Sequence, residues 1–393
     1  MVKLLKLEPL TKEYLESINF FWHTDLDNKP YIGDELVEVS RQEAENYYEV
    51  ANELYDMFVE AAQYVIDNNL FHEIGIPFNL IESVKMSWEN DVHWHLYGRF
   101  DLAGGIDGEP IKLIEFNADT PTSLYESAII QWALLKKNGL NEASQFNNIY
   151  EAIKENFKRL VVLHNDTDDF SKHYEGWKIL FSSIAGSIED EITTKFLQSA
   201  AEEAGFSTDF AYVDEVDFSS EDGIFKNDEN FEFWFKLIPW ENIAIDEPNL
   251  ALILKDIVQN QVGILLNPAY TLLFQSKAIM KILWDLYPNH PLLLETSFEP
   301  LKNKAQVVKP FFGREGENVQ IKNSIGQVIE ENDGAYKNFK SIYQEFVEFP
   351  QDSSSNHYQA GVFFAYEACG LGFRKGGKIL NNYAKFIGHI IKD

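Results

Sequence analysis

The stretch GRFDLAGGIDGEPIKLIEFNADTPTSLYESA, residues 98–128, alternates like a β-hairpin whose turn is AGGIDGEP. Side chains of a strand point to opposite faces with a period of two, so Arg99 and Asp101 share one face of the first strand. The residues that share a face of the return strand are Ile111, Leu113, Glu115 and Asn117. We therefore expect the polar side chains of the two strands to converge.

Two carboxylates and an amide oxygen, from Asp101, Glu115 and Asn117, predict a site for Mg²⁺ on this face. Mg²⁺ takes hard oxygen ligands and also retains water and phosphate oxygens, so it needs few protein ligands. Arg99 beside them is suited to neutralise negative charge that builds up during phosphoryl transfer. The alternative is an ordinary hairpin in which Arg99 pairs with Asp101 or Glu115, and the spacing alone favours neither.

A second group of residues, in VVKPFFGREGENVQI, is typical of a strand, a glycine-containing loop and a second strand. Lys309 ends the first strand, and Gly313 and Gly316 allow backbone amides to approach a phosphate closely. Arg314 adds a cation, and Lys277 in QSKAIM, on a predicted helix, is a further candidate to bind phosphate. The loop is not a Walker A motif, and a plain β-hairpin explains the same residues.

The third group lies near the C-terminus, in IYQEFVEFP and ACGLGFRKGG. Gln344 and Glu345 close an apolar strand, where a backbone edge and an amide can hydrogen-bond an adenine. Arg374 follows the pair Gly370 and Gly372. The alternative is a sheet edge and a surface arginine.

The composition is that of a large globular chain. With 393 residues, 45% of them hydrophobic, it can bury a sizeable core, and we expect two or three subdomains. The net charge of −30 argues against nucleic acid and anionic membranes as partners and favours a polycation such as a polyamine, although a solvated surface is the more common reason for such a charge. One cysteine, no signal-peptide core and no long apolar run predict a cytoplasmic protein without a membrane anchor.

Helix signals and a β-α-β pattern indicate a mixed α/β fold. Ser40 and Glu43 form a capping box ahead of a long amphipathic helix, and LYESAIIQWALLKKNG predicts a helix closed by Gly139. The order strand, helix, strand predicts a parallel-sheet lobe over about 140–265. FQSKAIMKILWDLYP predicts one helix stopped by Pro288.

These motifs together resemble a known family. GRFDL, IKLIEFNADTPTSLYESA, FKLIPWE, VVKPFFGREGENV, IYQE and GLGFR stand in the order found in the synthetase portion of the glutathionylspermidine synthase family, and the resemblance runs from about residue 14 to 393. It implies a circularly permuted ATP-grasp fold with a glutathione-synthetase-like architecture. The implied parts are 1–139, which contributes the metal-binding hairpin, 140–265, the pre-ATP-grasp-like α/β lobe, and 266–393, the nucleotide-binding part.

The resemblance also implies a reaction. Such ligases use ATP and Mg²⁺ to convert a carboxylate to an acyl phosphate, which an amine then attacks to form an amide. The expected substrates are a peptide-like or amino-acid carboxylate and an amine or polyamine. No Cys-His amidase pattern precedes the synthetase motifs, so we expect amide formation without amide hydrolysis. The alternative is a catalytically inactive ATP-binding sensor or subunit.

Individual residues are implied by position within the matching motifs. The implied magnesium ligands are Asp101, Glu115 and Asn117. The implied catalytic arginines are Arg99, which steadies the transferring phosphoryl group, and Arg374, which faces the phosphates. The implied nucleotide contacts are Lys277, Lys309, Gly313, Gly316, Gln344 and Arg374. The implied substrate contacts are Thr120, Thr122 and Arg314, with Glu189 and Asp190 for the amine.

The sequence departs from the family pattern at three positions. Asn267 stands where the family usually has an acid, Gln275 where it usually has an asparagine, and Gly388 where a proline is usual. These departures concern the identity of the substrates more than the use of ATP.

Overall fold

The polar hairpin lies at the edge of a large mixed sheet. In the computed structural model, which describes residues 1–25, 27–163 and 166–392, seven strands form this sheet. Their spatial order is Leu4–Lys6, Ile32–Ser40, Lys385–Lys392, Glu367–Gly376, His357–Ala365, Gly98–Ala103 and Lys112–Asn117. Neighbouring strands are antiparallel, except that Ile32–Ser40 and Lys385–Lys392 run parallel. The hairpin and the GLGFR segment therefore belong to one sheet, although about 270 residues separate them.

The register of the hairpin brings its polar side chains together, as predicted. Arg99 is paired with Asn117, and Asp101 is paired with Glu115. Directly opposite residues of an antiparallel pair lie on the same face, so all four side chains project to one side.

A β-bulge in the return strand changes which of its residues share a face. Asp101 pairs with Glu115 but Leu102 pairs with Leu113, so Ile114 is the extra residue of the return strand. Leu113 is consequently buried in the hydrophobic core instead of sharing the face of Glu115, which corrects the prediction from simple alternation.

The opposite face of the hairpin is held by aromatic packing. Phe100 and Phe116 stack with ring centroids 3.9 Å apart, and Phe58 packs against both. Phe58 belongs to the long helix Arg41–Asp67, whose predicted capping box of Ser40 and Glu43 is confirmed. Burial of each phenylalanine stabilises the fold by about 1.5–3 kcal/mol, so one face of the hairpin is anchored while the other carries polar groups.

A second sheet contains the lysine-glycine motif. Within the described part of the chain its strands, in spatial order, are Thr296–Ser297, Ser341–Glu345, Gln306–Pro310, Gln320–Lys322 and Val328–Glu331, all antiparallel. This confirms the strand, loop and strand predicted for VVKPFFGREGENVQI. The IYQE strand is not a sheet edge, because Thr296–Ser297 and Gln306–Pro310 flank it on both sides.

A parallel sheet occupies the middle of the chain. Its strands, in spatial order, are Ile264–Leu266, Phe233–Lys236, Lys178–Ser183 and Ser207–Tyr212. The helix Ile188–Ala204 connects the last two, which confirms the predicted β-α-β order. Between Ser207–Tyr212 and Phe233–Lys236 in sequence, the chain forms a small antiparallel sheet. Its strands are Asp217–Ser219, Gly223–Lys226 and Glu229–Phe231. The bounds proposed for the three parts of the chain stay a prediction.

The remaining helices cover these sheets. They are Lys12–Ser17, Ile81–Glu89, Gln131–Lys137, Ile149–Val162, Phe170–His173, Trp240–Asp246, Pro248–Gln259, Thr271–Gln275 and Ile279–Leu286. A π-helical turn, Glu126–Ile130, leads into Gln131–Lys137, and this helix ends two residues before Gly139, whose φ is +66°.

The prediction of a single helix for FQSKAIMKILWDLYP is wrong, because the helix is interrupted at Ser276. Its backbone is extended, with ψ of 119°, and its hydroxyl donates a hydrogen bond of 2.6 Å to the carbonyl of Ile74. Lys277 therefore lies in the break between two short helices, where its backbone N–H donates to the carbonyl of Phe311. The break brings Lys277 next to the glycine loop.

Candidate active site

Residues from all three predicted groups line one cavity of about 160 Å³. The predicted site residues that line it are Arg99, Asp101, Glu115, Asn117, Thr120, Thr122, Lys277, Lys309, Gly313, Arg314, Gly316, Gln344 and Arg374. Glu189 and Asp190 are not among the lining residues. Thirteen of the predicted residues are thus brought together by strands and loops that are distant in sequence.

Arg99 and Asp101 form a buried bidentate ion pair. Arg99 Nε lies 2.6 Å from Asp101 Oδ1, and Arg99 Nη2 lies 3.0 Å from Oδ2. Arg99 Nη1 donates a further hydrogen bond of 2.5 Å to the carbonyl of Thr122. The pairing that the sequence left as an alternative is therefore present.

Glu115 is the second carboxylate of the hairpin, and lysines surround it. Its Oε2 lies 3.1 Å from Nζ of Lys277, which also donates a bond of 2.7 Å to the carbonyl of Gly313. Burial raises the pKa of Glu115, but Lys277 and Lys309 outweigh burial and hold that pKa at about 2. The carboxylate is ionised at neutral pH.

The bulge of the hairpin creates a contact for Lys309. The carbonyl of Ile114, the extra residue, accepts a hydrogen bond of 3.0 Å from Nζ of Lys309. Burial lowers the pKa of Lys309 to about 8, although Glu115 acts in the opposite direction. Lys277, a like charge, lowers it further. A nearby anion would favour the charged form of this lysine.

The glycine loop requires a glycine at position 316. Gly316 has a φ of +69°, and a Cβ at this position would lie 2.3 Å from the carbonyl oxygen of Leu380. Within the same loop, Arg314 Nη1 donates a 2.9 Å bond to Oγ1 of Thr120, and Nη2 lies 2.9 Å from Oε1 of Glu241. Arg314 therefore ties the loop to the segment that follows the hairpin.

A buried ionic network behind Arg314 was missed in the sequence. Lys236 and Asp119 form a fully buried ion pair at 3.0 Å, and Asp119 also accepts a 2.9 Å bond from the backbone N–H of Trp240. Glu241, 2% exposed, follows in the next position, and its Oε2 is buried without a hydrogen-bond partner. The signal was present, because a lysine that ends the apolar strand FWFK needs a counter-ion when buried.

Gln344 lies in a buried position of the lysine-glycine sheet. It is 2% exposed, and its Nε2 approaches Sδ of Met280 at 3.3 Å. Apolar side chains that line the same cavity include Leu294, Val307 and Ile321. An amide among apolar side chains is the arrangement that binds the polar edge and the flat faces of a base.

Arg374 lies inside the large sheet and is not a surface arginine. It is paired with Gln359 on one side and Phe386 on the other, and its Nη2 donates a 2.9 Å bond to the carbonyl of Asn381. Its Nε is buried without a partner. The guanidinium is held at the cavity wall with capacity for an anion.

Glu189 and Asp190 lie in the first turn of the helix Ile188–Ala204, whose N-cap is Ser187. Burial raises the pKa of Glu189 to about 8, and Glu126 adds to the shift while Arg374 opposes it. Burial likewise raises the pKa of Asp190. Arg374 acts on Glu189 and Arg314 acts on Asp190, so both acids lie near cations of the cavity wall, but their contact with an amine stays a prediction.

Two of the departures from the family pattern support the end of the hairpin. Asn267 Nδ2 donates to the carbonyl of Asp119 at 2.9 Å, and Gln275 Oε1 accepts from the backbone N–H groups of Ala118 and Asp119. Both amides therefore hold the chain between Asn117 and Thr120. Their place in the fold is structural.

No helix in the described ranges is long and apolar enough to span a membrane. Nor do the described residues contain a group of three or more histidine, cysteine, aspartate and glutamate side chains arranged to hold a metal. The hairpin offers two carboxylates and an amide, so an amide oxygen takes the place of the third acid of such a group.

Known proteins are similar to this chain over most of its length. The model of the family described as glutathionylspermidine synthase pre-ATP-grasp matches residues 2–392. A candidate acid–amine ligase of Haemophilus influenzae is 31% identical over 380 residues, which cover 92% of this chain and 91% of that protein. The bifunctional glutathionylspermidine synthetase/amidase of Escherichia coli is 26% identical over 371 residues, 88% of this chain but 56% of that longer protein.

The fold has a neighbour among solved structures. A glutathione synthetase-like effector of Globodera pallida, solved in its apo form, superposes with a TM-score of 0.57 at 9% identity and covers 99% of this chain and 100% of its own. At that identity the likeness concerns the fold alone, which is the mixed α/β architecture expected. With the family model matched over nearly the whole length, the chain belongs to the glutathionylspermidine synthase pre-ATP-grasp family.

Proposed function

We propose that this chain is an ATP- and Mg²⁺-dependent ligase that joins a carboxylic acid to an amine through an acyl phosphate. Its family contains named ligases that form C–N bonds, and the chain is an enzyme of that class. The observation that carries the finer proposal is the single cavity shared by the hairpin carboxylates, two lysines, the glycine loop and Arg374. We also propose that the fold is a circularly permuted ATP-grasp fold with the three parts given above.

The donor set of the hairpin fits Mg²⁺. Asp101 and Glu115 are direct cross-strand partners, and Asn117 lies within hydrogen-bond distance of both carboxylates. Two carboxylates and one amide oxygen suit a hard cation that fills its other positions with water and phosphate oxygens. When bound, Mg²⁺ would draw negative charge from the phosphate oxygens.

The nucleotide would lie between the large mixed sheet and the sheet that contains the lysine-glycine motif. Lys277 and Lys309 would contact the phosphates as charged donors, and the backbone at Gly313 and Gly316 would allow close approach of the chain. The base would lie against apolar side chains with Gln344 at its polar edge. Each of these residues lines the same cavity, which supports the assignment.

The acid would be held by Arg314, Thr120 and Thr122 at the end of the hairpin. One carboxylate oxygen of the acid attacks the γ-phosphorus, the bond to the β-phosphate oxygen breaks, and ADP leaves. Arg99 and Arg374 are placed to balance the charge on the transferring phosphoryl group. The guanidinium planes match phosphate oxygens in a way that a lysine does not.

The amine completes the reaction. Its nitrogen attacks the acyl carbon, the bond from that carbon to the phosphate oxygen breaks, and the nitrogen loses a proton as inorganic phosphate leaves. Glu189 and Asp190 would hold a distal ammonium group of a polyamine. We propose a peptide-like or amino-acid carboxylate as the acid and a cytoplasmic site of action.

The test is phosphate release from ATP with a panel of acids and amines, in which glutathione and spermidine are the first pair. We expect release that requires both an acid and an amine, together with a new amide product detected by mass spectrometry. Lys309→Ala should abolish release, whereas Lys302→Ala, a lysine outside the cavity lining, should not change it. Binding of ATP without release in any combination would support the inactive sensor instead.

A further inference from the structure

The two carboxylates of the hairpin are each paired with a cation of the cavity. Both oxygens of Asp101 bond to Arg99, at 2.6 and 3.0 Å, and Oε2 of Glu115 lies 3.1 Å from Nζ of Lys277. Asn117 Nδ2 donates to both carboxylates, at 3.2 Å to Asp101 and 3.3 Å to Glu115. The residues proposed to bind metal therefore form ion pairs with the residues proposed to bind phosphate.

These pairs compete with binding of the metal and of the phosphates. A carboxylate whose two oxygens accept from one guanidinium has little capacity for a cation, and the guanidinium has correspondingly little for a phosphate. Arg99 and Asp101 are 6% and 4% exposed, so neither charge can simply turn to water. A buried charge that loses its partner is strongly destabilising unless a new partner replaces it.

We propose that the hairpin exchanges partners, so that a divalent cation and the triphosphate bind with positive coupling. Without a divalent cation, Asp101 and Glu115 hold Arg99 and Lys277 and keep them from the nucleotide. With both carboxylates engaged as ligands, the two cations are released to the phosphates, and rotation of the Asn117 amide presents its oxygen in place of its nitrogen. This inference rests on the proposed function of the same site.

The exchange predicts that removal of either carboxylate raises the affinity for ATP in EDTA and lowers it in Mg²⁺, relative to the parent. Asp101→Asn and Glu115→Gln each keep the size of the side chain but release the cation that the carboxylate held. In EDTA, each variant should therefore bind ATP more tightly than the parent, by on the order of tenfold, because a negative charge close to the phosphates is also removed. In Mg²⁺, the same variants should lose most of the gain in affinity that the parent receives from the metal.

The measurement is the dissociation constant for ATP by titration calorimetry, in EDTA and over a range of Mg²⁺ concentrations. Glu151→Gln is the matched control, because it also removes one negative charge from an ion pair, with Lys154, but outside the cavity lining. It should leave both constants unchanged, which separates release of the cation from the change in net charge. The side chain of Glu115 is 22% exposed, so its replacement keeps the test available if Asp101→Asn does not fold.

Two negative outcomes are distinguishable. If the parent binds ATP in Mg²⁺ but neither variant binds metal-free ATP more tightly than the parent, the exchange is overturned and the proposed function stands. If the folded parent binds no ATP in either condition, the proposed function itself fails.

Discussion

Replacing Asp119 with asparagine should destabilise the fold strongly, because it leaves the buried ammonium group of Lys236 without its direct ionic partner. Both side chains are completely buried, and Lys236 Nζ lies 3.0 Å from Asp119 Oδ1. Lys236 would retain a hydrogen bond of 2.8 Å to the carbonyl of Ile238, which satisfies one donor but no charge. The loss is therefore that of a charge and not only of a hydrogen bond.

The expected magnitude follows from the burial. Removal of one partner of a buried ion pair costs about 3–5 kcal/mol. For a chain of 393 residues, about 2.1 cal/mol/K per residue gives an unfolding entropy of about 0.8 kcal/mol/K. A loss of about 4 kcal/mol then lowers Tm by about 5 °C, which differential scanning calorimetry detects easily.

The double variant Asp119→Asn with Lys236→Met provides the control. It removes both charges together, so its Tm should be higher than the sum of the two single losses predicts, with a coupling of about 2 kcal/mol or more. A Tm for Asp119→Asn within 1 °C of the parent, taken as roughly 1 kcal/mol, would refute the reasoning. Additive losses in the double variant would refute it too, because the two groups would then act independently.

Three further outcomes are expected. Gly316→Ala should weaken ATP binding in a calorimetric titration, since its Cβ would lie 2.3 Å from a backbone carbonyl oxygen, whereas Gly326→Ala, with a φ of +83° but open space around it, should not. ATP affinity should fall as the pH rises through about 8, where Lys309 loses its proton, and Lys309→Met should bind weakly without that dependence. Glu241→Gln should raise the KM for the acid but not the Kd for ATP, because Arg314 loses its ionic partner, and equal changes in both would contradict this.

The hairpin shows how far the sequence alone could be interpreted. The shared face of Glu115 and Asn117 follows from a period of two, which is a local property of any strand. The bulge at Ile114 does not, because an extra residue leaves alternation on either side intact while shifting its phase. That shift moved Leu113 to the core and gave Lys309 a carbonyl to bond.

The break at Ser276 was hidden for a different reason. The residues around it have helical periodicity, but the hydroxyl of Ser276 bonds the carbonyl of Ile74, about 200 residues earlier. The same holds for Asp119 and Lys236, which only the fold brings together. Interactions that depend on long-range contacts leave at most a local anomaly, such as a lysine that ends an apolar strand.

The charge of the cavity differs from that of the whole chain, and this difference bears on how an anion binds. The chain carries a net charge of −30, yet six basic and five acidic side chains line the cavity. Long-range electrostatics therefore repel a triphosphate, and attraction arises only at short range, where Lys277, Lys309 and the arginines meet it directly. With nearly balanced charges, the lining offers little net attraction as long as its carboxylates pair with its own cations. A divalent cation that engages Asp101 and Glu115 would both add positive charge and release Arg99 and Lys277, so the balance of charges itself favours joint binding of metal and nucleotide.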